Sequence, residues 1–172
     1  MKTTPFDTMI CPTARALACI GDNWSLLILR DAFQGCRRFD DFQRSSGIPS
    51  NTLTRRLKQL VEKGLLVKVP YQQRPLRHEY VPTDMGQELF PILALLFAWG
   101  NRYLTPEGEA VRQTSPEGAL LTPIVVDQGT QQPITLATVR LQAGPAANAD
   151  VLARVAQVAA LWSSHTDIKE IQ

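Results

Sequence analysis

The chain has 172 residues, 44% of them hydrophobic and 20% charged, with a formal net charge of +2. That is enough length for one ordinary globular domain plus an extension, and the composition is that of a folded protein. No apolar run approaches the ~18 uncharged residues of a membrane-spanning helix, and the first ten residues, MKTTPFDTMI, carry no signal-peptide pattern; a soluble, cytoplasmic protein without a membrane partner is expected.

Near the start, Cys11 precedes Pro12, which suits the first position of a helix running through TARALACI to Gly21. A thiol there feels the positive end of the helix dipole and stands one turn from Arg15. Both favour the thiolate and make Cys11 a redox-sensing candidate. The competing reading is a small packing residue, because cysteine is among the most buried types. The cysteines, Cys11, Cys19 and Cys36, are odd in number and lack paired spacing, so neither a disulfide framework nor a zinc site is indicated. With His78 and His165 as the only histidines, no metal and no cofactor is expected.

Asp22 or Asn23 can cap the next helix, WSLLILRDAF, which stops at Gly35. Trp24, Leu26, Leu27, Ile28, Leu29 and Phe33 should form the centre of the domain, with Arg30 and Asp31 at the surface. Phe39 and Phe42 follow at i, i+3 on a short segment broken by Gly47 and Pro49. Ser50 then reads as an N-cap, and Gly64 closes a helix of Asn51 to Lys63. Leu53, Leu57, Leu60 and Val61 make its apolar stripe. Asn51, Arg55, Lys58, Gln59 and Glu62 lie opposite, with Thr52 and Arg56 on the flank.

LLVKVPY and HEYV are short β-type runs separated by the polar loop QQRPLR, a hairpin with a basic tip. Two helices across a tight turn followed by a hairpin describe a winged helix-turn-helix. Residues 37–77 hold ten Lys and Arg against three acids, a local net of +7. One charged helix alone is more readily a solvated face. The spacing, the attached wing and the concentrated charge together favour duplex DNA, whose phosphates such a face neutralises.

Thr83 caps a helix continuing through MGQELFPILALLFAWGNRYL, with a kink at Pro91. It is apolar nearly all round from Leu89 to Trp99, so a second face should be buried against a symmetric partner. Leu89, Leu93, Leu96, Phe97, Trp99 and Tyr103 are the dimer-interface candidates. The alternative is that the C-terminal tail covers this surface.

Three stretches are therefore expected: residues 8–104 as the DNA-binding and dimerisation domain, 105–118 as a linker, and 119–172 as an extension serving as dimerisation arm or effector cover. Within the extension, LLTPIVV and ITLATVRLQ could pair as a hairpin. The helix ADVLARVAQVAALW would follow, with Val151, Leu152, Val155, Val158, Ala159 and Trp162 on one face. The fold class is mainly α with a small β-hairpin wing.

Cys11-Pro12, Gly21-x-x-Trp24 leading into LLILRDAFQGCRRFDDFQ, IPSNTLTRRLKQLVEKGLL and PLRHEYVPTDMGQEL ending in Trp99-Gly100 together resemble the HxlR-type winged-helix transcriptional regulators, related to the MarR-like proteins. The resemblance covers about residues 8–104. It implies a homodimer on a pseudo-palindromic operator, usually a repressor and sometimes an activator, with a small-molecule effector among the expected partners. Ser50 to Lys58 would read the major groove, and Arg74 and Arg77 would enter or flank the minor groove. Cys11 occupies the place of a cysteine that some relatives use to sense quinones, aldehydes or oxidants. The acidic tail of residues 105–172 departs from the common pattern.

The DNA-contacting candidates are thus Arg38, Ser50, Asn51, Thr52, Thr54, Arg55, Arg56, Lys58, Gln59, Arg74 and Arg77. No catalytic residue is assigned. Two other classes compete: a winged helix used only for protein contacts, and a thiol-redox enzyme built on Cys11, for which the sequence shows no resolving partner.

Overall fold

The computed structural model describes residues 5–164, which divide into two compact units, the first ending at Pro123 and the second beginning at Ile124. In the first, a 3-10 turn (Phe6–Thr8) precedes helices α1 (Pro12–Ile20), α2 (Asn23–Phe33), α3 (Phe39–Ser46) and α4 (Ser50–Glu62). Strands β1 (Leu66–Gln73) and β2 (Leu76–Pro82) follow, then α5 (Asp84–Gln87) and α6 (Phe90–Tyr103). The second contains α7 (Ala149–Ser164). This is a mainly helical winged helix-turn-helix with one two-stranded antiparallel hairpin.

The core lies where α2, α3, α4 and the base of the wing meet. Ile28, Leu29 and Ala32 of α2, Phe42, Ile48, the α4 stripe Leu53, Leu57 and Leu60, and Leu65 and Leu66 are all but fully buried. The Leu, Ile and Phe side chains among them are each worth about 1.5–3 kcal/mol relative to exposure. Asp22 caps α2 by accepting from Ser25 N at 3.0 Å, and Thr83 caps α5 by accepting from Gly86 N at 3.1 Å, as the sequence predicts. Gly64 ends α4 with φ at +74°, a left-handed conformation that a Cβ would disfavour.

Several expectations are corrected. Asp31, expected at the surface, is completely buried. Its carboxylate is met by the guanidinium of Arg30, whose Nη2 lies 2.7 Å from Oδ1; a buried charge persists only when paired in this way. Ser50 does not cap α4: Pro49 holds the N-cap position, and Ser50 Oγ accepts from Gln43 Nε2 at 2.6 Å. The expected six-residue loop QQRPLR is largely strand, because Gln72 pairs with Arg77 and Gln73 with Leu76, leaving Arg74-Pro75 as the turn. The expected single helix from Thr83 is two. Proline lacks an N–H and its ring clashes with the carbonyl four residues back, but it fits the first turn of a helix, and Pro91 stands there in α6.

Residues 105–118 make local contacts. Asn101 Nδ2 donates to Val111 O at 2.8 Å, and Thr114 forms a bridge with Leu120, so this stretch turns back within the first unit. In the second unit the expected hairpin reduces to a tight turn. Asp127 N donates to Gln132 O at 2.8 Å and Ile134 N to Val125 O at 2.9 Å, with one isolated bridge between Val126 and Pro133. Pro123 and Pro133 flank this turn and have no N–H to extend a ladder. On α7, Val151, Val155, Val158 and Trp162 are half-buried, whereas Leu152 and Ala159 are exposed and leave the predicted face. The guanidinium of Arg140 stacks 4.9 Å from the Trp162 ring centroid.

Candidate nucleic-acid interface

Burying Leu53, Leu57 and Leu60 fixes the rotation of α4, because side chains at i, i+4 and i+7 share one face. The opposite side then presents Asn51, Thr54, Arg55 and Lys58 to solvent, with Ser50 exposed at the start and Thr52 and Gln59 half-buried on the flanks. Thr54 Oγ1 donates back to Ser50 O at 2.9 Å, which leaves its methyl and an oxygen lone pair outward.

Arg56, predicted to contact DNA, is turned the other way. Its Nε lies 3.1 Å from Asp22 Oδ1, with side chains only 22% and 29% exposed, and its Nη1 donates to Gln59 Oε1 at 2.8 Å. It ties α4 to the start of α2. Several other bases of the +7 segment are likewise engaged. Arg37 donates to Ala32 O at 2.6 Å and to Cys36 O at 3.2 Å. Lys63 donates to Ala18 O and Cys19 O, satisfying carbonyls at the end of α1 that the helix itself leaves open. Arg44 and Lys58 make loose surface pairs with Asp41 at 3.6 Å and Glu62 at 3.7 Å, of the kind worth little in water. Among the described residues, Arg55, Lys68, Arg74 and Arg77 make no ion pair.

Arg38 joins the two halves of the motif. Its Nε donates to Glu79 Oε1 of β2 at 3.1 Å, which holds the guanidinium above its ordinary pKa, and its Cζ sits 4.3 Å from the Tyr71 ring centroid. Tyr71 reaches that position because the ladder slips between Pro70 and Gln72: proline cannot donate, and the register shifts there. Tyr80 N donates to Arg37 O at 2.7 Å, which pins the chain entering α3 against β2. Its ring meets Phe42 edge to face at 6.4 Å, and burial raises its phenol pKa.

A cleft of about 360 Å³ lies between the start of α3 and the wing, lined by Arg38, Asp40, Lys68, Tyr71, Arg77 and His78 among others. Lys68, Tyr71 and His78 are not among the candidates that the sequence singles out. A lysine interrupting the otherwise β-type run LLVKVPY was the available signal for Lys68, but the contributions of Tyr71 and His78 depend on strand register. Arg74 is at the wing tip and Arg77 two pairs along from it, so structure and sequence agree on where the wing's charge sits.

Of the dimer candidates, Leu89 and Leu93 pack against the chain's own core. Leu96, Trp99 and Tyr103 remain about half exposed or more, and Phe97 is half-buried. Trp99 and Tyr103 lie 5.9 Å apart, ring to ring. Cys11 is half-buried at the N-cap of α1, and the Arg15 guanidinium donates to Met9 O at 2.6 Å. Among the described residues no cluster of His, Cys, Asp or Glu could hold a metal ion, and no helix is long and apolar enough to cross a membrane.

A recognition helix with a polar outer face, braced by a basic wing, defines a helix-turn-helix transcriptional regulator. Residues 19–108 match the HxlR-like helix-turn-helix family, and the chain belongs to it. The HTH-type transcriptional regulator Rv3095 of Mycobacterium tuberculosis is 50% identical over 99 residues, covering 57% of this chain and 63% of that protein. The chain therefore matches less than two thirds of that relative's length. The structure of PA1607, a candidate transcription factor, is 38% identical and covers 82% of this chain and all of its own, with a TM-score of 0.74. The redox regulator HypR in its reduced form is 30% identical over 56% of this chain and 99% of its own, with a TM-score of 0.51.

Proposed function

We propose that the chain is a homodimeric, sequence-specific DNA-binding repressor that reads a pseudo-palindromic operator in the cytoplasm. The observation that carries this reading is the outer face of α4, where Asn51 and Arg55 are exposed, while the same helix is locked from behind by three buried leucines. Arg can bond guanine bidentately and Asn can bond adenine in the major groove. Arg74, Arg77 and Lys68 on the wing supply backbone contacts, which set register without carrying sequence information. The exposed apolar side chains of α6, Leu96, Trp99 and Tyr103, face the second protomer, placing two recognition helices about 34–36 Å apart.

The test is fluorescence anisotropy of a labelled duplex from the gene's own upstream region against a scrambled duplex, at about 50 and 200 mM salt. Tight binding with preference for the upstream duplex is expected. Failure to bind any duplex at low salt favours the protein-contact reading instead.

A thiol input through Cys11 is supported by two observations: its place at a helix N-terminus, and the likeness to a redox regulator. Diamide treatment should change operator affinity in the native protein and not in Cys11→Ser. Equal responses in both would remove Cys11 as a sensor.

A further inference from the structure

The outer surface of α4 carries one apolar contact among its polar ones. Measured from Leu53 at about 100° per residue, Ser50, Thr54, Lys58, Asn51 and Arg55 follow one another round the helix within an arc of about 140°. All five are exposed. Ser50, Lys58, Asn51 and Arg55 end in a hydroxyl, an ammonium, an amide and a guanidinium, each with a hydrogen to donate. Thr54 differs, because its Oγ1 gives its hydrogen to Ser50 O at 2.9 Å.

That bond sets the side chain. Ser50 is itself tied to α3, its Oγ accepting from Gln43 Nε2 at 2.6 Å. Threonine is branched at Cβ, so holding Oγ1 also holds the methyl, since rotation about χ1 moves both together. The hydrogen bond draws Oγ1 in against the helix backbone, and the methyl is the branch left standing outward.

In the major groove the N7, O6 and O4 acceptors require a donor, and the donor of Thr54 is already spent. Two kinds of base feature remain: the C5-methyl of thymine, which packs against a threonine methyl, and the exocyclic amines of cytosine and adenine, which would have to reach the withdrawn Oγ1. The thymine methyl is also the one feature that no hydrogen bond from Asn51 or Arg55 can read.

We propose that Thr54 is a specificity-determining residue that reads thymine by methyl–methyl contact, beside the hydrogen-bonding readers Asn51 and Arg55. The assignment rests on the DNA-binding reading above and adds one base to it: each half-site carries a thymine facing the second turn of α4.

The experiment begins with selection of duplexes from a random library by the full chain. In the enriched duplex each thymine is replaced in turn by deoxyuridine, which removes the C5-methyl and leaves every hydrogen-bonding group in place. Anisotropy titrations follow with the native chain, Thr54→Val and Thr54→Ser. Loss of a buried methyl contact should weaken native binding about fourfold at one thymine of each half-site. Thr54→Val keeps a methyl branch and should show the same loss at the same position. Thr54→Ser keeps the hydroxyl without the methyl and should bind the thymine and uracil duplexes equally there. Each result is a ratio of two affinities of one protein, so a variant that folds less completely gives the same ratio. Indifference of the native chain to uracil at every position, or an undiminished loss in Thr54→Ser, would overturn the assignment. A loss kept by Thr54→Ser and abolished in Thr54→Val would make the hydroxyl the reader and overturn it equally. Enrichment of no duplex at low salt would defeat the DNA-binding reading and this assignment with it, whereas enrichment without a uracil effect would defeat this assignment alone.

Discussion

Arg55 and Arg56 are adjacent and chemically identical, yet the structure leaves Arg55 exposed and sets Arg56 against Asp22, and substitution separates them. Arg55 is exposed and, among the described residues, makes no ion pair, so Arg55→Ala should leave folding within about 0.5 kcal/mol of native. If it bonds a base, operator binding should weaken by about 1–3 kcal/mol, with less loss on a scrambled duplex. Arg56 is part of the scaffold. An exposed ion pair is worth about 0–1 kcal/mol, whereas breaking a buried one costs about 3–5 kcal/mol. The Arg56–Asp22 pair lies between these limits, at 3.1 Å with both side chains largely covered, so Arg56→Ala should cost about 2 kcal/mol. For a unit of this size that is a fall in Tm of roughly 5–10 °C, read by thermal denaturation at one fixed protomer concentration. The double variant Asp22→Asn with Arg56→Ala should lose less than the sum of the single losses, because one interaction is removed twice. An unchanged Tm in Arg56→Ala, together with selective loss of operator binding, would refute the assignment and return Arg56 to the groove.

The salt dependence of operator binding should report the cations that folding leaves uncommitted. Within residues 37–77, the four described bases that make neither an ion pair nor a hydrogen bond to a backbone carbonyl, Arg55, Lys68, Arg74 and Arg77, imply a slope of log K against log salt of about −7 for a dimer, and a slope near −2 would contradict their engagement. Gly86 is buried where a Cβ would come within 2.1 Å of Leu65 O. Gly86→Ala should therefore push α5 off the base of the wing, costing about 1–3 kcal/mol in denaturant unfolding; an unaffected midpoint would show that α5 can shift freely. Burial, reinforced by Asp31 and Asp41, raises the Cys36 thiol pKa. Its alkylation should rise with pH along a curve displaced above that of an ordinary thiol, about 8.5, when followed by mass spectrometry. By linkage, the part of stability tied to the protonated thiol is full below the unfolded pKa and is lost as pH rises through the folded one. Alkylation along the ordinary curve would remove the burial argument.

What the sequence determined by itself was local and periodic. The spacing of Leu53, Leu57 and Leu60 sets both the helix and its buried side, Gly64 ends it, Asp22 and Thr83 cap their helices, and the concentration of bases in residues 37–77 marks the candidate interface. Each of these is a short-range effect of backbone geometry or burial, so neighbours in the chain suffice to read it. What only the tertiary structure decided is which of those bases are available. Asp22 turns Arg56 inward, Glu79 and Tyr71 hold Arg38 across the wing, and the carbonyls closing α1 take Lys63. The same holds for the burial of Asp31, which depends on α2 packing into the core. An unpaired charge and a paired one look alike in a sequence, because pairing depends on the direction of a side chain and the arrival of a distant partner. Both are fixed only when the elements pack.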